Sequence, residues 1–251
     1  DESVKGLFCV PKYSNPDGIT FSDEVVRRFA ALKPAAKDFR VIWDNAYIVH
    51  DLNDTPDKLL NIFDEAKKCG SEDMFIEVIS TSKISFAGGG ISAVIASDAN
   101  IAEIKKRMSI QIISNDKINQ LRHARYFKNL DGIKAHMKKQ AAILKPKFDA
   151  VTDGFEKAFD GTGIASWKKP NGGYFISLFV MNGCAKRVGQ LCKEAGLTLT
   201  TVGATYPYGI DPDDSNIRIA PSYPDVDELK KAVELLCICV KLAAAEKLTE
   251  E

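Results

Sequence analysis

The order of apolar and polar positions along the chain predicts an α/β fold. Four short apolar runs have the length and composition of buried strands: 4–10, 39–43, 75–79 and 92–96. Between and after them, apolar residues recur at helical spacing in three segments: 23–32, 55–69 and 99–108. Strands that alternate with helices of this length indicate right-handed crossovers and a parallel sheet covered on both faces.

Residues with strong end preferences mark where these helices are predicted to begin and end. Ser22 precedes the first helix as a plausible N-cap, and Asp98 has the same place before the third. The second helix is predicted to begin with Pro56 at its first position and to end just before Gly70.

The pattern changes after about residue 115. The stretch to residue 159 is predicted to be mostly helical, with one long helix from Asp131 that Pro146 kinks. Shorter elements follow, with strands at 174–179, 197–201 and 216–220 and helices at 185–195 and 226–245. We therefore predict part of a large, mostly parallel-sheet domain at 1–130. The long connecting helix and a small α+β domain are predicted at 131–251.

Composition argues against several classes of function. Lys plus Arg and Asp plus Glu are both 34, and this zero balance argues against nucleic acid as a partner of this part of the chain. No apolar run has the length of a membrane span, and no signal peptide opens the sequence. The six cysteines form no C-x-x-C pair and the three histidines are scattered, which predicts a reduced, cytoplasmic protein without a metal site.

Polar side chains stand where the first three predicted strands end. In chain order they are Asn15, Asp44, Tyr47, Ser80, Ser82 and Lys83. Because the carboxyl ends of parallel strands meet at one edge of a sheet, we expect these side chains to converge there. Open α/β sheets bind their ligands at that edge.

These residues belong to motifs that resemble a known family. N-P-D-G at 15–18, D-N-A-Y at 44–47, S-T-S-K at 80–83 and N-I-R at 216–218 resemble the fold-type I pyridoxal-phosphate aminotransferases, the aspartate aminotransferase superfamily. The resemblance covers essentially the whole chain. The stretches S-K-I-S-F-A-G-G-G and I-S-N-D-K-I-N-Q-L-R-H are similar to the MocR-type branch, which includes aspartate aminotransferases.

The resemblance implies how the cofactor pyridoxal 5′-phosphate would be bound. Lys83 would hold its aldehyde as a Schiff base and would carry a proton once substrate displaces it. Asp44 would face the pyridine nitrogen and keep it protonated, and Tyr47 would donate a hydrogen bond to the ring phenolate. Ser80 and Ser82 would bind the phosphate.

The resemblance also implies a substrate site. Arg218 would bind the substrate carboxylate through two parallel N–H donors. Asn15 would donate a hydrogen bond to the ring phenolate. A surface ion pair is the alternative role for Arg218. Arg122 and Arg125 are candidates for binding a side-chain carboxylate, although no spacing identifies either.

One position departs from the family pattern. Many relatives have a phosphate-binding Arg eight residues after the lysine, where this chain has Ile91 after three glycines. Either main-chain N–H groups of the glycine loop replace it, or another residue does. Lys117 is a candidate, and a simple charge in the first turn of a helix is the alternative.

The activity implied is amino-group transfer between an amino acid and a 2-oxo acid, with aspartate and 2-oxoglutarate favoured, in a homodimer. The chain begins at Asp1 rather than Met and opens on a strand. We therefore expect that an N-terminal portion with further cofactor residues precedes it, and that these 251 residues alone are inactive.

Other functions remain open at this stage. β-Lyases and decarboxylases of the same fold use the same lysine chemistry, and aminotransferase-like domains also act as sensing domains of transcription regulators. Ser80–Lys83 fits the S-x-x-K motif of serine β-lactamases, but the S-D-N and K-T-G motifs that accompany it there are absent from the sequence.

Overall fold

A computed structural model describes residues 1–250, which form two compact units. The first unit contains Asp1–Ser14, Ile19–Asp51 and Asp57–Lys139. The second contains Asn15–Gly18, Leu52–Pro56 and the chain from Gln140 onward. The division of the sequence into domains at 130 and 131 stays a prediction.

The sheet of the first unit confirms the four predicted strands. They are β1 (Gly6–Cys9), β2 (Arg40–Asp44), β3 (Phe75–Ser80) and β4 (Ser92–Ala96), side by side in that order. β1 pairs with β2 and β2 with β3 in parallel, whereas β4 runs antiparallel to β3. The last connection is a turn without a crossover helix, and such a return reverses the direction of the strand.

Helices of the first unit follow the predicted order, with two corrected ends. They are α1 (Asp23–Ala30), α2 (Ile62–Cys69), α3 (Asp98–Gln111) and α4 (Lys117–Phe127). The predicted cap Ser22 is confirmed, since its side chain accepts the Val25 N–H. Gly70 ends α2 in the left-handed conformation, as expected of a C-terminal glycine.

The predicted starts of α2 and α3 were wrong. Asn61, and not the region of Pro56, caps α2, because its side chain accepts the N–H groups of two first-turn residues. Ser97 caps α3 by accepting the Asn100 N–H, and Asp98 is the first helical residue. An acidic residue there favours the helix through its dipole without forming the cap.

The core of the first unit lies against β2 and β3. Trp43 and Phe75 are fully buried and pack edge-on at 6.3 Å, while Phe21 and Phe29 stack on each other and each contacts Trp43 edge-on. β1 was predicted to be buried, but Phe8 is 63% exposed because β1 lies at an edge of the sheet as the structure describes it.

The second unit is built on a three-stranded antiparallel sheet. Its strands are β5 (Ala165–Trp167), β6 (Ile176–Val180) and β7 (Asn216–Ile219), and its helices are the later part of α5 (Leu130–Phe159), α6 (Ala185–Glu194) and α7 (Val226–Glu250). Pro146 lies inside α5, as predicted. These elements confirm an α/β fold with a mostly parallel sheet, a long helix and a smaller α+β part.

The predicted strand at 197–201 is wrong. The structure shows irregular backbone there, although Leu197 and Leu199 still pack against the core of the second unit. In this alternating Leu and Thr segment, the leucines thus pack against the core although the backbone pairs with no strand. Among residues 1–250, no helix combines the length and apolar character that crossing a bilayer requires.

We predict that Phe155→Ala destabilises the second unit by about 4 kcal/mol. Phe155 is fully buried and contacts the rings of Phe159 and Trp167, so truncation leaves a cavity. Tyr223→Ala is the control, since Tyr223 is 96% exposed and its loss should change stability little. Urea denaturation of the three proteins measures both effects, and equal stabilities would contradict this account of the core.

Candidate active site

Lys83 lies in a hydrogen-bonded turn between β3 and β4. The Thr81 N–H donates to Ile91 O at 2.8 Å, and the Ile91 N–H donates to Thr81 Oγ1 at 2.8 Å. The N–H groups of Ile84 and Ser85 both donate to Thr81 O, at 2.9 and 2.8 Å. Thr81 therefore closes the turn from both sides, and Lys83 lies within the closed segment.

Two hydroxyl groups face each other at the entrance to this turn. Ser80 Oγ and Ser82 Oγ are 2.8 Å apart, and the Ser82 N–H donates to Ser80 Oγ. Gly90 passes so close that a Cβ there would lie 2.7 Å from Ser82 Oγ and 2.8 Å from its nitrogen. The glycine thus leaves room for Ser82 that a side chain would occupy.

The glycine loop is tied to the start of α4. Asn119 donates from Nδ2 to Gly89 O at 2.7 Å, and the Asp116 side chain caps the helix by accepting the Asn119 N–H. Lys117 is the first residue of α4 and is exposed. Its predicted phosphate role stays a prediction, and so does the replacement of an Arg at Ile91.

Asp44, Tyr47 and Lys83 come together in the first unit. Lys83 Nζ lies 5.0 Å from the centre of the Tyr47 ring, which is buried. Burial raises the pKa of the Asp44 carboxyl, while the Lys83 charge and the Ala46 N–H act in the opposite direction. A carboxylate, a phenol and an amine thus occupy one location at the carboxyl end of β2, as the motif order predicted.

The segment after β2 is anchored by a buried lysine that the sequence did not single out. Lys12 Nζ donates to Ile48 O and to Asp51 Oδ1, both at 2.9 Å, and the Tyr13 hydroxyl donates to the same carboxylate oxygen at 2.7 Å. Lys12 is only 6% exposed. A lysine that follows a predicted strand is usually a solvated charge, so no sequence signal indicated this ion pair.

His50 is a second site residue that the sequence did not indicate. It is buried, its Nε2 lies 3.2 Å from the Lys83 main-chain oxygen, and its ring packs edge-on against Tyr47. Burial lowers its pKa to about 4, and the Lys83 charge acts in the same direction. The imidazole is therefore neutral near pH 7. The one feature of the sequence that could have indicated His50 as a site residue is its position three residues after Tyr47.

The remaining predicted residues meet in the second unit. Arg218 Nη1 donates to Asn15 Oδ1 at 3.0 Å, and the guanidinium lies 4.9 Å from the centre of the Phe175 ring. Arg218 Nε is buried and makes no hydrogen bond within residues 1–250. Asn216, the other polar residue of N-I-R, is buried and donates to Ser177 Oγ, so it holds β7 against β6.

The donor set of the first unit fits pyridoxal phosphate. An amine, a partly buried carboxylate, a phenol and a pair of hydroxyls match the cofactor's aldehyde, pyridine nitrogen, phenolate and phosphate in chemical type. The role of each residue toward that cofactor stays a prediction.

Comparisons with known proteins identify relatives of this chain. The family model described as aspartate amino-transferase matches residues 1–251. A curated relative from Corynebacterium glutamicum, named aspartate aminotransferase, is 45% identical over 97% of this chain. The crystal structure of an aspartate transaminase from the same species superposes with a TM-score of 0.96 at 44% identity and covers 98% of this chain.

The fold also extends to more distant proteins. An α-aminoadipate aminotransferase from Thermus thermophilus, solved in complex with N-(5′-phosphopyridoxyl)-L-leucine, has a TM-score of 0.75 at 16% identity, a likeness of fold alone. The superposition covers 95% of this chain and 59% of the T. thermophilus chain. The chain likewise spans 56% of the curated C. glutamicum relative and 58% of the C. glutamicum structure.

The chain belongs to the aspartate amino-transferase family, whose members are fold-type I pyridoxal-phosphate aminotransferases. The resemblance seen in the motifs is thereby confirmed.

We predict that the first unit loses stability on acidification through His50. Its folded pKa lies below the ordinary value, so the unfolded chain takes up the proton first as pH falls below about 6.5. Stability is full above that pH and is lost as pH falls toward the folded value. The loss between about pH 7 and pH 5 is about 2 kcal/mol.

Urea denaturation at the two pH values measures this loss. His50→Gln, which cannot take up a proton, should have a pH dependence smaller by about the same 2 kcal/mol. An identical pH dependence in both proteins would show that His50 is not the group responsible.

Proposed function

We propose that the protein is a pyridoxal-phosphate-dependent aminotransferase that uses Lys83 as the amine to which the cofactor attaches. The observation that carries the proposal is the placement of Lys83 Nζ over the Tyr47 ring, close enough to Asp44 to oppose the rise of its pKa. Membership of the aspartate amino-transferase family supports the same chemistry.

Each residue of the first unit has a proposed part in binding. Asp44 would bind the pyridine nitrogen, Tyr47 the ring phenolate, and Ser80 and Ser82 the phosphate. Bound there, the cofactor would supply an electron sink for the substrate Cα carbanion. Lys117 stays a candidate for the phosphate, because the first turn of α4 is joined to the glycine loop through Asn119.

The raised pKa of Asp44 supports its proposed role. A carboxylate removed from water without full compensation favours a neighbouring cation, and a protonated pyridine nitrogen would be such a cation. An ionised Asp44 would in turn hold that proton on the nitrogen. The burial that is unfavourable for the carboxylate alone therefore strengthens its interaction with the cofactor.

Lys83 and Arg218 would act on the substrate. When substrate displaces it, the Lys83 amine would accept and return the proton at the substrate Cα. Arg218 would bind the substrate carboxylate with Asn15 beside it. The guanidinium is already oriented by Asn15 and Phe175, which limits the loss of side-chain freedom on binding.

The substrate pair and the assembly are finer proposals. Aspartate and 2-oxoglutarate are the proposed amino acid and 2-oxo acid, supported by the relative named aspartate aminotransferase. A cytoplasmic homodimer is proposed from the family resemblance. The exposed apolar side chains Ile110, Ile113 and Ile118 support a partner surface around α3 and α4.

We predict that the purified full-length protein takes up pyridoxal phosphate with a new near-visible absorption band that borohydride abolishes. Lys83→Ala should lose both the band and the stable reduced adduct, because the attached amine is gone. Lys105→Ala, which removes an exposed lysine of α3, is the matched control and should retain both. A reduced adduct that persists in Lys83→Ala would contradict the proposal.

We predict that Asp44→Asn in the full-length protein retains cofactor but reduces transamination roughly 10²–10³-fold, because an amide cannot hold the pyridine proton. Asp98→Asn, an exposed change in the first turn of α3, should leave the rate unchanged. Stopped-flow absorbance measures the half-reaction in each variant. Near-normal turnover in Asp44→Asn would remove this residue from the mechanism.

We predict that aspartate and glutamate change the absorption of the cofactor-loaded protein at least about tenfold faster than alanine does, since a second carboxylate adds binding energy. Product analysis should find the matching 2-oxo acid and amine-bearing cofactor. Release of ammonia or carbon dioxide instead would favour a β-lyase or a decarboxylase. No response to either dicarboxylic amino acid would remove this substrate choice.

A further inference from the structure

The three histidines of the chain contact three consecutive residues of the turn that carries Lys83. His50 Nε2 lies 3.2 Å from Lys83 O, and His136 Nε2 lies 2.8 Å from Ile84 O. His123 Nε2 lies 2.8 Å from Ser85 Oγ. The sequence contains three histidines in all, and they reach this turn from three elements of the first unit: the segment after β2, α4 and the start of α5.

His50 contacts the residue that matters most for the proposed chemistry. A carbonyl oxygen can only accept, so the imidazole must donate from Nε2, and the neutral ring therefore carries its proton there. The charged groups that face it are Lys83 and Asp51. The Lys83 ammonium has no lone pair to accept this proton, and Asp51 Oδ1 already accepts from Lys12 and from Tyr13.

The segment that carries His50 is itself fixed. The His50 N–H donates to Tyr47 O at 3.0 Å, and Lys12 donates to Ile48 O on one side and to Asp51 on the other. An imidazole on so constrained a segment can fix the position of a neighbouring carbonyl. One on a mobile loop would simply follow it.

The other two histidines extend the contact along the turn. His136 lies on α5 and His123 on α4, and the Phe127 ring contacts both, at 5.4 and 6.0 Å. His123 Nδ1 faces Asn119 O at 2.9 Å, so this histidine links the turn to the helix that also holds the glycine loop. The turn is thus held at three successive residues.

We propose that His50 is a positioning residue for Lys83, assisted by His136, and that it acts by fixing the Lys83 main-chain carbonyl. The inference rests on the proposed function of Lys83. A lysine amine lies several ångströms from its Cα, so a rotation of about 20° in the main chain displaces the amine by about 2 Å. Displacements of that size are large for proton transfer at a substrate carbon, where about 1 Å can reduce a rate a hundredfold.

The first test measures the turn without any cofactor. Amide hydrogen exchange of residues 80–91 is followed in the whole protein, in His50→Leu and in His50→Gln. His50→Leu has similar size without a donor, and exchange should become about fivefold faster on loss of one hydrogen bond. His50→Gln keeps an N–H donor and should stay close to the wild-type rate.

A destabilised control separates positioning from stability. Val26→Ala truncates a fully buried residue of the same unit's core, away from the turn. This variant should lower the melting temperature. The ratio of the exchange rate at 80–91 to that in the rest of the first unit should stay unchanged. Faster exchange confined to 80–91 in His50→Leu supports the proposal, and exchange there equal to the wild type overturns it.

The second test measures the amine itself. Borohydride capture of pyridoxal phosphate should be at least about fivefold slower in His50→Leu, and kcat should fall while KM stays constant. His50→Gln should recover most of both rates. Normal capture and kcat in His50→Leu would overturn the proposal while leaving the role of Lys83 intact. Failure of the wild-type protein to capture cofactor at Lys83 would instead refute the proposed function, and the exchange experiment would still decide whether His50 holds the turn.

Discussion

The closed turn between β3 and β4 determines where Lys83 lies, and most of the site depends on it. Thr81 accepts and donates hydrogen bonds on both sides of this turn, and Gly90 passes too close to Ser82 for any side chain. A crossover helix after β3 would have carried the chain away from the sheet edge. The short return keeps Lys83 beside the ends of β2 and β3, where the Asp44 and Tyr47 side chains already lie.

Burial then sets the charges around this turn. Burial raises the pKa of the Asp44 carboxyl and lowers the pKa of His50 to about 4, so that each favours its neutral form, whereas the buried Lys12 amine forms an ion pair with Asp51. The Lys12 pair holds the segment between Tyr47 and Asp51 in place, and His50 reaches the Lys83 carbonyl from that segment. The unfavourable burial of Asp44 is the feature that a cationic ring nitrogen would offset, which links the electrostatics of the unit to its proposed cofactor.

The sequence predicted much of this arrangement because the relevant signals are local. The four strand runs of the first unit, Ser22 as a cap and Gly70 as a helix end each depend on a few neighbouring residues, and all of these are confirmed. Strand direction after Lys83 was missed because a turn and a crossover differ in tertiary path rather than in composition. His50 and Lys12 were missed because their roles come from partners 33 and 39 residues away.

The edge exposure of β1 and the irregular path at 197–201 have the same origin. Apolar runs indicate that side chains are buried, but they do not indicate which neighbouring element covers them. Leu197 and Leu199 are partly buried against the core of the second unit without joining a strand, whereas Phe8 lies on an edge strand. The proximity of Asp44, Tyr47 and Lys83 was easier to predict because motif order and family resemblance carry tertiary information that periodicity lacks.

The most direct test of the central claim is a crystal structure of the protein with pyridoxal phosphate. We predict electron density that is continuous with Lys83 Nζ, with the pyridine nitrogen against Asp44 and the phosphate against Ser80 and Ser82. Density attached to another lysine, or a cofactor whose nitrogen faces away from Asp44, would contradict the account.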